Sequence, residues 1–193
     1  MNLEEKELRI TQILKEKRMS HGLDNPANYL QGLKDLIDKY VKPEFRICEI
    51  GSYEGSSTEL FLLSCDWVTS IDPYNEGEFF GQENLEDLDR AEKIFIERNK
   101  NYDRLTKIKK KSKFAVDDFG IESFDLFYHD GDHRIESVCA DLLMWLPKIK
   151  KDGYLAGHDY CDDVKIAVDK IIGEPDEVFQ DSSWIKKKSN ILI

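Results

Sequence analysis

Three of the chain's four histidines, His129, His133 and His158, sit with Asp130, Asp132 and Asp159 in two short runs, "HDGDH" and "GHDY". Imidazole changes charge near neutral pH, and carboxylates hold hard divalent cations. Two chemistries are open to such a cluster. A cation held by Asp130, Asp159 and His158 would bind a substrate hydroxyl, lower its pKa and aim it. Oxygen ligands favour magnesium, and adding His158 moves the preference toward manganese or another transition metal. Alternatively, or in addition, His133 would act as general base at the mouth of the site. A blander reading stands beside both, in which the cluster is a hydrogen-bonded network that only shapes its loops.

A second constellation lies upstream. "RICEIGSYEGSSTEL" (46–60) reads as a strand, a glycine turn and the start of a helix. Gly51 and Gly55 give G-x-x-x-G, not the G-x-G-x-x-G of dinucleotide sites. Charge is more telling than spacing. Glu49 ends the strand, Glu54 lies in the turn, and Arg90 is the only basic residue between 47 and 92. Two carboxylates would repel a pyrophosphate and welcome a positive centre. If both faced solvent, the turn would merely be tight. Asp72 in "SIDPY" ends the next strand, about twenty residues on, where a carboxylate accepts hydrogen bonds from a ribose diol. The predicted ligand is a nucleoside with a cationic tail.

These residues need a scaffold that gathers strand ends. Strand-like runs at 45–50, 67–72, 105–110, 124–129 and 153–157 alternate with helical stretches near 56–64, 86–99, 113–118, 134–149 and 162–172. In 134–149, Val138, Leu142, Trp145, Leu146 and Ile149 follow a helical period. Such alternation implies a doubly wound α/β fold with parallel strands, whose ligands bind beyond the carboxyl ends. The tail "DEVFQDSSWIKKKSNILI" predicts two strands about a polar turn near Asp181–Ser183, placing an antiparallel strand in the sheet. Two helices come first, over 3–18 and 27–41, the second with Leu30, Leu33, Ile37 and Tyr40 on one stripe. Between them "HGLDNPAN" reads as a turn, with Asn25 as cap and Pro26 as first residue of the second helix. The expected organisation is a single domain over 1–193, a helical extension (1–42) on an α/β core (43–193).

Composition narrows the classes. A net charge of −11 works against sequence-independent binding to nucleic acid or anionic lipid. The basic runs "KIKKKSK" (107–113) and "KKK" (186–188) read as solvated strand faces. No apolar run approaches the roughly 20 residues of a membrane helix. With no apolar core of a signal peptide at the start, and four scattered cysteines, the expected setting is cytoplasmic. The acidic stretch 75–89, with Phe79 and Phe80, is either a lid or ordinary packing against the second helix.

"EIGSYEGSS", "SIDPY", "FDLFYHDGDHRIESVCADLLMWLPKIKKDGYLAGHDY" and the tail together resemble class I S-adenosylmethionine-dependent methyltransferases. They are most like the small-molecule and sugar O-methyltransferases with D-G-D-H and H-D-Y motifs, over residues 45–193. The resemblance implies a Rossmann-like, seven-stranded sheet, mostly parallel with an antiparallel last strand. It implies that Glu49, Gly51, Ser52, Tyr53 and Gly55 hold the methionine part and Asp72 the ribose, with adenine near Ser112 and Asp130 at the cofactor as well as the metal. The implied reaction is methyl transfer to an oxygen of a sugar or other small hydroxyl compound, assisted by magnesium or manganese. Relatives are often dimers or larger, so a homo-oligomer is among the expectations. The third strand departs from the pattern, reading "KKKSKF" where relatives carry Gly-Asp or Gly-Ser. Among rivals, a nicotinamide oxidoreductase needs the missing glycine fingerprint and no carboxylates in the turn. A metallohydrolase built on the His/Asp cluster leaves the glycine turn and Asp72 without a purpose. A non-catalytic nucleoside-binding module remains open.

Overall fold

A computed structural model of the chain describes residues 2–16, 18–20, 23–25, 29–75 and 85–191. In chain order the elements are α1 (Leu3–Lys15), β1 (Arg18–Ser20), β2 (Leu23–Asn25), α2 (Gln31–Tyr40), β3 (Arg46–Ile50), α3 (Ser56–Leu62), β4 (Trp67–Ile71), α4 (Leu85–Asn99), β5 (Leu105–Ile108), α5 (Ser112–Ala115), β6 (Phe124–His129), α6 (Ile135–Trp145), β7 (Ile149–Gly157), α7 (Asp162–Ile172), β8 (Glu177–Val178) and β9 (Trp184–Lys187). Seven strands form one sheet in the order β5-β4-β3-β6-β7-β9-β8. Pairing is parallel from β5 through β7, and β9 runs antiparallel between β7 and β8. The sheet is therefore the expected doubly wound one, with the terminal hairpin folded so that its second strand is the inner one.

Side chains alternate across each strand and feed two cores. Ile47, Leu126 and Tyr128 face α1, α2 and α3, packing with Ile10, Ile13, Leu33, Leu36 and Phe61. Cys48, Phe127 and Leu155 face α6 and α7, packing with Val138, Trp145, Val168 and Trp184. The N-terminal helices thus share one face of the sheet with α3.

The N-terminal region differs in detail from its sequence pattern. The first helix stops at Lys15, and Arg18–Ser20 pairs with Leu23–Asn25 as a small hairpin. Asn25 lies in that strand and not at the start of α2, and Pro26 lies outside the described residues. α2 begins at Gln31, and Leu30 at its cap offers no side-chain bond. Instead Asp181 reaches across from the terminal hairpin, its Oδ2 accepting the Leu33 N–H at 2.8 Å. A Cβ on Gly32 would stand 1.9 Å from Asp181 Oδ1, so only glycine admits this distant cap.

Candidate active site

The sheet's hydrogen bonding continues one residue past three strands and so fixes the row of loops at their carboxyl ends. Gly51 N–H donates to the Ile71 carbonyl (2.9 Å), Asp130 N–H to Ile50 (2.8 Å) and His158 N–H to His129 (3.0 Å). β3 is the switch point, with β4 on one side and β6 on the other. Gly51 sits there at φ +81°, and a Cβ would lie 2.1 Å from the Asp130 carbonyl oxygen, so the turn and the β6 loop touch backbone to backbone.

Glu49 is wholly buried. Thr58 donates to its Oε2, the Ser57 hydroxyl favours its charge, and Oε1 completes no hydrogen bond among the described residues. Burial, reinforced by Asp130 and Asp72, pushes its pKa up to about 8. Asp72 organises the turn from the next strand. Its Oδ2 accepts the backbone N–H of Ser52 (2.9 Å) and Tyr53 (3.0 Å), and its Oδ1 that of Tyr74 (2.8 Å). Tyr53 and Tyr74 both adopt left-handed backbone, at φ 46° each. The three N–H donors favour the Asp72 carboxylate, yet burial still raises its pKa. One lone pair of Oδ1 is left for a ligand, not the pair of acceptors that a fully open carboxylate would present.

Glu54 does not add free negative charge to the turn. Arg90 Nη1 donates to its Oε1 at 2.9 Å and Arg90 Nη2 to Asp87 Oδ1 at 2.7 Å, while the Tyr53 hydroxyl donates to Asp87 Oδ2 at 2.6 Å. The start of α4 thereby grips the turn. The stretch 76–84 before it, with Phe79 and Phe80, lies outside the described residues. The basic run is also paired: Lys107 and Lys109 both reach Glu92, and Lys110 reaches Asp118.

The histidine and aspartate cluster divides. Among the described residues, Asp130, His133 and Asp159 are the group whose ligand atoms lie within 4.8 Å of one another. His133 is half-exposed, its Nε2 3.2 Å from Asp159 Oδ2 and 3.9 Å from Asp130 Oδ1. Asp130 foremost, then Asp159, hold its pKa above the ordinary value. Asp159 comes within reach because its backbone turns left-handed at φ 53°, just past the last sheet bond. His158, expected as the third ligand, is not in that group, where His133 stands instead. Its Nδ1 lies 3.2 Å from Asp159 Oδ1 and 4.0 Å from Asp130 Oδ1. Burial opposes its charge, but Asp159, Asp130 and Asp181 override that and lift its pKa to about 9. With that charge His158 braces the two carboxylates. Asp132 turns aside to Arg134 and Ser137, which hold its pKa down near 2 against partial burial. His129 points to the other face of the sheet, toward Asp141.

Ser112, expected near adenine, has its hydroxyl committed within the protein. It donates to Asp141 Oδ1 at 2.6 Å and accepts from Trp145 Nε1 at 2.7 Å. Asp141 is the residue that sequence reasoning passed over. It sits three residues after Val138 on the apolar stripe of α6, and an acid in that position was the available signal.

A protein family described as a methyltransferase domain matches residues 48–160, from inside β3 to the last residue of the "HDY" run. The chain belongs to that family. An uncharacterized protein of Acanthamoeba polyphaga mimivirus is 27% identical over 153 residues, 74% of this chain and just under two thirds (66%) of that one. Among solved structures, a Corynebacterium glutamicum protein superposes with a TM-score of 0.62 at 14% identity, covering 97% of this chain and 91% of its own. The TDP-rhamnose 3′-O-methyltransferase of calicheamicin biosynthesis gives 0.56 at 13% identity, covering 97% and 95%. Phosphoethanolamine N-methyltransferase 1 of Haemonchus contortus, solved with phosphoethanolamine and S-adenosylhomocysteine, gives 0.55 at 17% identity, covering 82% of this chain and 32% of that one. At these identities the structural likeness is one of fold. The methyltransferase family's matched segment contains every cofactor and metal position discussed above. No helix among the described residues is long and apolar enough to cross a membrane.

Proposed function

We propose that the chain transfers the methyl group of S-adenosylmethionine to an oxygen of a sugar or other small polar acceptor, in a cytoplasmic setting. The observation that carries this is the row of carboxylates Glu49, Asp72, Asp130 and Asp159 at successive strand ends, with the nearby guanidinium of Arg90 turned onto Glu54 and Asp87. Such an edge suits a cationic nucleoside and repels a phosphorylated one. The unpartnered Glu49 Oε1 and the remaining Asp72 Oδ1 lone pair suit an ammonium group and a ribose hydroxyl.

The cofactor supplies a sulfonium-activated methyl, so the protein's work is to align and to keep water out. Gly51, Ser52, Tyr53 and Gly55 shape the turn around the methionine part, and Asp72 fixes ribose and turn together. His133 Nε2 takes the acceptor's proton, with Asp159 stabilising the imidazolium. Asp130, Asp159 and His133 also fit a divalent cation, manganese better than magnesium because of the imidazole. When bound, that ion would supply a Lewis acid for the acceptor oxygen. The same Nε2 lone pair cannot both ligate and accept a proton, so activity in excess chelator assigns His133 to one role. The test of the cofactor is calorimetry with S-adenosylhomocysteine and NAD, with and without manganese. Binding of the first and not the second is expected, with Asp72→Asn weakening it about tenfold. NAD binding without any response to S-adenosylhomocysteine would refute the assignment.

A further inference from the structure

Asp141 has no part in the chemistry above, yet it is only 8% exposed on the inward stripe of α6. An acid in such a place is retained only where its oxygens are well bonded. Both are, and to different loops. Oδ1 accepts the Ser112 hydroxyl at 2.6 Å, at the start of α5. Oδ2 lies 3.1 Å from His129 Nε2, on the last residue of β6. Trp145, one turn along the same helix, donates to the same Ser112 oxygen, and its ring stacks on Phe127 of β6 at 5.5 Å.

The two loops so joined flank the site. In the sheet order the β5 loop stands on one side of β4 and β3, and the end of β6 stands on the other. They stand like two walls on either side of the two strands whose ends carry Asp72 and Glu49. A ribose on Asp72 whose cationic tail runs into the β3 turn has its base directed toward the β5 wall. Because the Ser112 hydroxyl already donates once and accepts once inside the protein, what the network controls is where that wall stands.

We propose that Asp141 is a positioning residue that ties the β5 loop to the end of β6 and so sets the width of the slot for the nucleoside base. This rests on the cofactor reading given above. Its removal loosens the adenosine end of the ligand and leaves the methionine end untouched.

The test is calorimetry below the melting range with S-adenosylhomocysteine and with 5′-methylthioadenosine, which lacks the amino acid. The variants are Asp141→Asn, which keeps the shape and places an N–H donor toward His129, Ser112→Ala, which cuts the same link from the α5 side, and the double variant. Each single change is expected to weaken both ligands about tenfold. The double variant is expected to be no weaker than either single, since one linkage is lost once. Folded variants that bind both ligands like the wild type would show that Asp141 serves only the core and would overturn the inference. So would additive losses in the double variant. Wild-type protein that binds neither ligand would overturn the cofactor reading and this inference together, whereas the other outcomes bear on the inference alone.

Discussion

Glu49 shows how a buried acid can be both a liability and a detector of charge. With its pKa pushed up to about 8 from the ordinary 4.5, the folded chain holds a proton there at neutral pH that the unfolded chain has lost. Folding stability from this group is therefore complete below about pH 4.5 and falls away as pH rises through about 8. An ammonium group arriving at Oε1 reverses the balance, because the paired carboxylate is favoured over the acid. Binding of S-adenosylmethionine near pH 7 is thus expected to release a proton, seen as a calorimetric enthalpy that depends on the buffer's own ionisation heat. Affinity should weaken as pH falls below about 8. Glu49→Gln should abolish the proton release and cost about tenfold in affinity. Buffer-independent enthalpy in the wild type would mean that the ligand's charge is met elsewhere. The sequence showed that the turn was acidic, but it could not show which acid keeps its charge. That depends on Arg90 folding back onto Glu54 from thirty-six residues away, and on Glu49 lying beneath the turn instead of on it.

Helix α3 is wholly buried and starts where the cofactor turn ends, so its placement is a matter for its neighbours. Glu59 is the joint. Its carboxylate takes both Arg9 Nε and Nη2 of α1 at 2.7 Å, Arg98 Nη1 of α4 at 3.0 Å and the Tyr102 hydroxyl at 3.2 Å. Removing one member of a buried ion cluster strands the rest, so Glu59→Ala is expected to cost about 3–5 kcal/mol in urea unfolding. Arg9→Ala should cost only about 1 kcal/mol, since that side chain is partly in water and Arg98 stays behind. Equal losses would place the stabilising contact at Arg9 instead of at Glu59. At this scale the sequence was most readable where periodicity was long, as in α6 and α7, and least where an element depends on distant partners. Strands of three residues leave no alternation to read, which hid β1 and β2. The start of α2 was misplaced because its cap is Asp181, supplied from the other end of the chain. That His133 joins Asp130 and Asp159 in one close group was hidden for a similar reason. Only the left-handed turn at Asp159 swings that carboxylate to His133.

Viewed whole, the alternation of strand and helix and the terminal hairpin were legible because each follows from local pattern plus the right-handed crossover rule. The weight carried by the first forty residues was not. They read as a helical extension for which packing on the core was one option among several, yet Ile10, Ile13, Leu30, Leu33, Leu36 and Ile37 are buried in the same cluster as Ile47, Phe61, Tyr128 and Ile185 of the sheet and its first helix. Burying six such side chains is worth roughly 10 kcal/mol in transfer terms, as much as the entire net stability of a typical domain, about 5–15 kcal/mol. A chain starting at Pro43 would also expose the Glu59 carboxylate that Arg9 now covers, and would leave Asp181 without the helix end it caps. Deletion of residues 1–42 is therefore expected to give a protein that binds a hydrophobic dye and loses its sharp urea transition. It should bind no S-adenosylhomocysteine, even though the family's matched segment, 48–160, is intact. A truncated chain that unfolds cooperatively at the wild-type midpoint would show instead that the sheet stabilises itself and that the two helices merely rest on it.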